Sequence, residues 1–229
     1  MPSHPVTLAL DACTEACSVA LQVGDRVLSR HKVVPRGHAR ELLPMIDSLL
    51  LESGLQRGDI DLLVYGRGPG AFTGVRISVS VAQGLASGLG CPLVGVSTLL
   101  AVAETAAADT GASRVAVAMD ARMGEVYWVP CERRPEDTLF RALTAEQVMP
   151  PGRVALPADW SDWLAAGTGW AAHGEAMRDA IGRTPTGMAP AALPDARYLL
   201  PHGLDGWRRG EVQTASEAQP VYLRDRVTG

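Results

Sequence analysis

The segment Tyr65-Gly66-Arg67-Gly68-Pro69-Gly70-Ala71-Phe72-Thr73-Gly74-Val75-Arg76 constrains this chain more than any other. The apolar run Leu62 to Tyr65 reads as a strand, the glycine-dense stretch as a loop, and Val75 to Leu89 as a helix of small and apolar residues. A strand, a glycine turn and a helix start gather backbone N–H groups at one point, where an anion or a close-packed partner can sit. The plainer reading, which the local pattern favours because a lone glycine loop is a weak signal, is that the glycines permit a sharp turn at positive φ. The segment is not a Walker A loop, because no lysine follows Gly74 and Arg76 is a poor substitute for one; nor is it the dinucleotide-binding fingerprint.

Composition narrows the class. With 229 residues, 47% of them hydrophobic and 20% charged, the chain carries ample material for one large domain or two small ones. Its formal charge of −4 argues against autonomous gripping of a phosphate backbone, which calls for a basic excess. The four cysteines, Cys13, Cys17, Cys91 and Cys131, have no zinc spacing and no CxxC pair, as expected of buried thiols in a reducing compartment. The N-terminus does not read as a signal peptide and no apolar run is long enough to span a bilayer, so a cytoplasmic location is expected.

Residues 6–12, Cys17 to Val23 and Val27 to Val34 read as three strands, with Gly24-Asp25 as a hairpin turn. His38 to Ser53 reads as a helix with Leu42, Leu43, Ile46, Leu49 and Leu50 on one face; Pro44 predicts a kink or a late start, and Gly54 a stop. After the glycine loop and its helix come a strand (Leu93 to Val96) and a helix (Thr98 to Ala108). The order βββαβαβα is that of a ribonuclease-H-like half-domain, an α/β unit with a mixed sheet and flanking helices. The polar stretch Asp109 to Ser113 predicts the boundary, giving residues 1–108 and a smaller, degenerate half over 109–229. There, strands are expected at Val115 to Met119, Glu125 to Cys131, Phe140 to Thr144 and Ala165 to Thr168, and helices at His173 to Ile181 and Ala196 to Gly203. Each half opens with a strand ending in aspartate, Asp11 and Asp120.

No pattern identifies a nucleophile, a base or a metal site. His4, His31, His38, His173 and His202 include no HxxxH or HExxH pair. Asp11 is either a turn-capping residue or an aspartate that orients a metal-bound water. On the second helix Ser80, Gly84 and Gly88 lie four apart, beside a parallel row of Ser78, Ala82 and Ala86. Glycine within a helix costs about 1 kcal/mol relative to alanine. Rows of small residues therefore call for a close neighbour, whether the chain's own sheet or a second protein.

The strings LALDACTEACSVAL, HARELLPMIDSLLLESG, GRGPGAFTGVRISVSVAQGLASGLGCPLVGVSTL, MDARMGEVYW, GTGW and PVYLRD, in this order, resemble the TsaB family, formerly YeaZ. The resemblance covers nearly the whole chain and is least characteristic from Cys131 to Leu164. It implies the actin-like ATPase fold and a role in making N6-threonylcarbamoyladenosine in tRNA, as a non-catalytic scaffold that pairs with and activates the transferase TsaD, with the ATPase TsaE joining them. TsaD-like sequences carry paired metal-binding histidines where Thr98 and Val102 stand here, and neither residue replaces an imidazole. The family role thus implies no catalytic residue, no metal and no cofactor. It maps the partner interface onto His38, Leu42, Met45, Leu49, Arg76, Ser80, Gly84 and Gly88, a surface that also serves a homodimer when the chain is alone. Asp11, Gly68, Pro69, Gly70, Thr73 and Gly74 form a candidate vestigial phosphate loop. Contact with tRNA is expected only through the complex. The competing readings are an independent ATPase or phosphotransferase that uses Asp11 and the glycine loop, and a metallopeptidase.

Overall fold

The computed structural model describes residues 4–34 and 36–224. The chain divides into two compact units: Met1–Thr98 with Pro194–Val221, and Leu99–Leu193 with the chain from Tyr222 on.

The first unit is built on a five-stranded sheet in the order β3-β2-β1-β4-β5. Its strands are β1 (Thr7–Asp11), β2 (Ala16–Val23), β3 (Arg26–Val33), β4 (Leu62–Gly66) and β5 (Leu93–Val96). β1, β2 and β3 pair antiparallel as two hairpins, and β4 and β5 add in parallel. Parallel addition requires crossovers. These are helices α1 (His38–Ser53) and α2 (Phe72–Leu89). Alternation along the strands sends Leu8, Leu10, Leu63 and Tyr65 to one face, where they join Leu42, Ile46, Leu49, Val75, Val79 and Ala82 in one core. α1 starts at His38 and continues through Pro44, whose ring is exposed, so the expected kink or late start is not seen. Its C-terminus is closed by Gly54 in left-handed conformation, with the cap N–H bonded to carbonyls of the last turn.

The opposite face of this sheet is covered by α5 (Ala196–Arg208). A Cβ on Gly203 would overlap the Val64 side chain, and one on Gly206 would come within 3.0 Å of Val94 Cγ1. Both glycines are therefore needed where helix and sheet meet. The segment beyond α5 then caps the β5 edge: Leu93 and Gln213 exchange both backbone hydrogen bonds, and Tyr65 Oη donates to Gln213 Oε1 at 2.9 Å.

The second unit carries a sheet of order β11-β10-β6-β7-β8, with β9 also on β7. Its elements are α3 (Thr98–Ala108), β6 (Arg114–Arg122), β7 (Glu125–Glu132), β8 (Arg141–Ala142), β9 (Gln147–Met149), β10 (Leu164–Ala166), α4 (Thr168–Ile181) and β11 (Gly187–Ala189). Val115, Val117 and Met119 pack with α3, while Ala116 and Ala118 face the cluster of Trp128, Trp160, Trp163 and Trp170. Among the described residues no helix is long and apolar enough to cross a membrane.

The expected split at 108/109 differs from the division by contacts. α5 packs on β1, β2, β4 and β5, so the segment after Pro194 returns to the first unit. Two further differences lie in the second unit: α4 begins at Thr168 and is interrupted at His173 (φ −137), where the helix was expected to start, and β9 and β11 were not read as strands. In the first unit α5 extends to Arg208.

Candidate functional site

The glycine loop leaves β4 at the carboxyl end of the parallel strands, beside the end of β1. Asp11 is fully buried there. Its carboxylate accepts from Cys13 N at 2.8 Å and from Thr98 Oγ1 at 3.0 Å. Desolvation dominates these hydrogen bonds and pushes its pKa up from 3.8 to about 6. Cys13 Sγ and Ser78 Oγ both donate to Gly66 O, at 3.2 and 2.8 Å. Burial, and then the Asp11 charge, push the Cys13 thiol well above its ordinary range. A thiol so placed is held protonated and is a poor nucleophile.

The loop glycines are explained by this same contact. A Cβ on Gly66 would overlap Asp11 Oδ2, one on Gly70 would overlap Cys13 O, and one on Gly74 would overlap Ala12 O. Ala71 N donates to Cys13 O at 2.7 Å. Gly68 lies at φ 93, where a Cβ would stand 3.0 Å from Val221 O. Thus the β1–β2 turn presses carbonyl oxygens, not a cavity, against the start of α2. Asp11, Gly70 and Gly74 meet there in a close-packed joint; Pro69 is buried and Thr73 lies exposed at the first turn of α2.

Thr98 Oγ1 donates to Asp11, and Val102 is buried in the core of the second unit. Asp120 accepts from Arg122 N and pairs with its guanidinium, while His173 Nε2 stands 3.8 Å from Asp120 Oδ1. Among the described residues no three or more His, Cys, Asp or Glu side chains are grouped to hold a metal ion.

The outward surface of α1 and α2 is different in kind. Of the residues expected at a partner interface, Leu42 and Leu49 are fully buried against the sheet, a correction forced by the very periodicity that placed them. His38 and Met45 are half-buried, and His38 Nε2 is buried without a hydrogen-bond partner. Arg76, Ser80, Gly84 and Gly88 are exposed. The two rows on α2 separate cleanly: Ser78, Ala82 and Ala86 face the core, whereas Gly84 and Gly88 have nothing within 4 Å of a would-be Cβ. The chain's own packing therefore does not require these glycines. The apolar residues that do face outward are Leu43 (41% exposed), Leu51 (85%) and Phe72 (50%). Sequence reading missed all three as surface residues. The signal was there for Leu51, which falls off the arc defined by Leu42, Ile46 and Leu49.

The mixed sheets with flanking helices define an α/β protein of the actin-like, ribonuclease-H-like class. The sequence model of TsaD, described as tRNA N6-adenosine threonylcarbamoyltransferase, matches residues 26–227. The tRNA threonylcarbamoyladenosine biosynthesis protein TsaB of Escherichia coli is 40% identical, covering 96% of this chain and 95% of its own length. The protein of the same name from Haemophilus influenzae is 38% identical, covering 96% and 94%. The solved structure of YeaZ from Pseudomonas aeruginosa superposes with a TM-score of 0.89 at 46% identity, covering 96% of this chain and 100% of that one. The chain belongs to the TsaB (YeaZ) family.

Proposed function

We propose that this chain is the non-catalytic docking subunit of the machinery that makes N6-threonylcarbamoyladenosine in tRNA. In this reading it pairs with and activates a TsaD-type transferase through the outer surface of α1 and α2, and a TsaE-type ATPase joins the pair. One observation carries the reading. The helix after the glycine loop spends two helix-weakening glycines on a surface with open space around them, beside exposed Leu43, Leu51 and Phe72, while the joint beneath is filled by the chain's own carbonyls. An exposed surface with apolar side chains and room for close approach suits a docking subunit. When no sister subunit is present, the same surface joins two copies.

Co-expression with the TsaD-type protein of the same host, followed by a sizing measurement, is expected to give a stable heterodimer. The chain alone is expected to transfer no threonylcarbamoyl group. Two separate peaks, or transfer by the isolated chain, would sink the reading. The rival reading, an independent phosphotransferase, is decided by titration with Mg-ATP: tight binding with turnover, both lost in Asp11→Ala, would establish it.

A further inference from the structure

Arg122 and Met123 are the non-glycine residues with left-handed backbone among the described residues, at φ 63 and 55, and they stand together in the turn between β6 and β7. Glycine or asparagine occupies such positions with less strain. Long side chains kept here therefore point to a use. Beneath the turn lies Arg224, whose Nη2 donates to Ala121 O at 3.3 Å and Arg122 O at 3.5 Å and pairs with the Glu125 carboxylate. Its Nη1 approaches Met123 Sδ at 3.4 Å. The Arg224 side chain is 19% exposed, whereas Met123 is 71% exposed. A largely exposed methionine thus rests its sulfur against a largely buried cation.

We propose that Met123 is an oxidative modification site, converted to its sulfoxide by hydrogen peroxide, and that Arg224 is the group that registers the change. The Met123 sulfur lone pair attacks one peroxide oxygen. An S–O bond forms as the O–O bond breaks, the sulfur gives up two electrons, and the second oxygen leaves as water once the proton has moved to it. A thioether is a weak hydrogen-bond acceptor, whereas the product oxygen is polar and accepts strongly. Within reach of Nη1, that oxygen accepts the hydrogen bond that Nη1 gives the sulfur only weakly, and the guanidinium keeps its proton. The turn is then fastened to Arg224 through a side chain as well as through two long carbonyl contacts. A methionine sulfoxide reductase reverses the step.

The test treats the full chain with hydrogen peroxide, maps oxidised peptides by mass, and follows amide hydrogen exchange across Arg122 to Glu125. Met188, 47% exposed, is the internal reference. Met123 is expected to gain oxygen several-fold faster than Met188, and the turn amides then to exchange about three- to tenfold more slowly, the factor that one added hydrogen bond supplies. Met123→Leu removes both effects. Met123→Gln, which carries an amide oxygen at that position, slows exchange without peroxide. Arg224→Ala keeps the oxidation and loses the exchange response. Equal oxidation at Met123 and Met188, unchanged exchange after oxidation, or unchanged exchange in Met123→Gln would each overturn the proposal.

Discussion

At Asp11 burial and hydrogen bonding pull in opposite directions, and burial wins. Its folded pKa, about 6, lies above the ordinary 3.8, so the acid form is the one the fold favours. The associated stability is fully present below the ordinary value and is lost as pH rises through about 6. The gap between 3.8 and about 6 corresponds to at most about 3 kcal/mol. Asp11→Asn keeps an oxygen acceptor for Cys13 N and removes the charge. The melting temperature of this variant relative to the native chain is therefore expected to rise by several degrees between pH 5 and pH 8. Identical pH profiles for the two proteins would show that Asp11 is not desolvated. Gly66→Ala belongs to the same scale. Its methyl group would overlap the Asp11 carboxylate, and the variant is expected to lose cooperative folding, read as the absence of a thermal transition.

Between elements, the informative contrast is two glycine sets that look alike in the sequence. Gly70 and Gly74 are needed because carbonyls lie against them; Gly84 and Gly88 are not needed by this chain at all. Gly84→Ala is expected to stabilise the isolated protein by up to about 1 kcal/mol, since alanine is the better helix former in open space. Gly84→Leu should leave the circular dichroism spectrum unchanged yet abolish retention of the TsaD-type partner in a pull-down. Retention at native levels would count against α2 as the docking surface. Leu51→Glu tests α1 in the same assay. At 85% exposure Leu51 contributes little to the core, so the melting temperature should hold within about 2 °C while pairing weakens at least tenfold if it anchors the partner.

The long amphipathic elements were legible because periodicity and caps act locally: α1, with Gly54 closing it, needs no knowledge of its partners to be read. The short strands of the second unit were not. β9 and β11 have three residues each, too few for an alternation to register, and they exist only because β7 and β10 offer edges to pair with. The first turn of α4 is set off from the rest by the non-helical backbone of His173, and its Gly169 is needed to pass Ala118 closely.

For the molecule as a whole, α5 is the element whose role depends most on tertiary context. It belongs by sequence position to the second half and by packing to the first sheet. A chain ending at Leu193 would leave Val64, Val94 and the rest of that sheet face in water. It is expected to be recovered as aggregate, with full-length protein soluble under the same expression conditions; a soluble, cooperatively melting fragment would refute this division of the core. Sequence alone determined the class of fold, the strand–loop–helix at residues 62–89 and the family resemblance, because strand alternation, helical periodicity and glycine placement are set by neighbours a few residues apart. Only the tertiary structure decided which glycines face the chain's own carbonyls and which face open space, because close approach joins residues distant in the chain, as Gly66 to Asp11 and Gly203 to Val64.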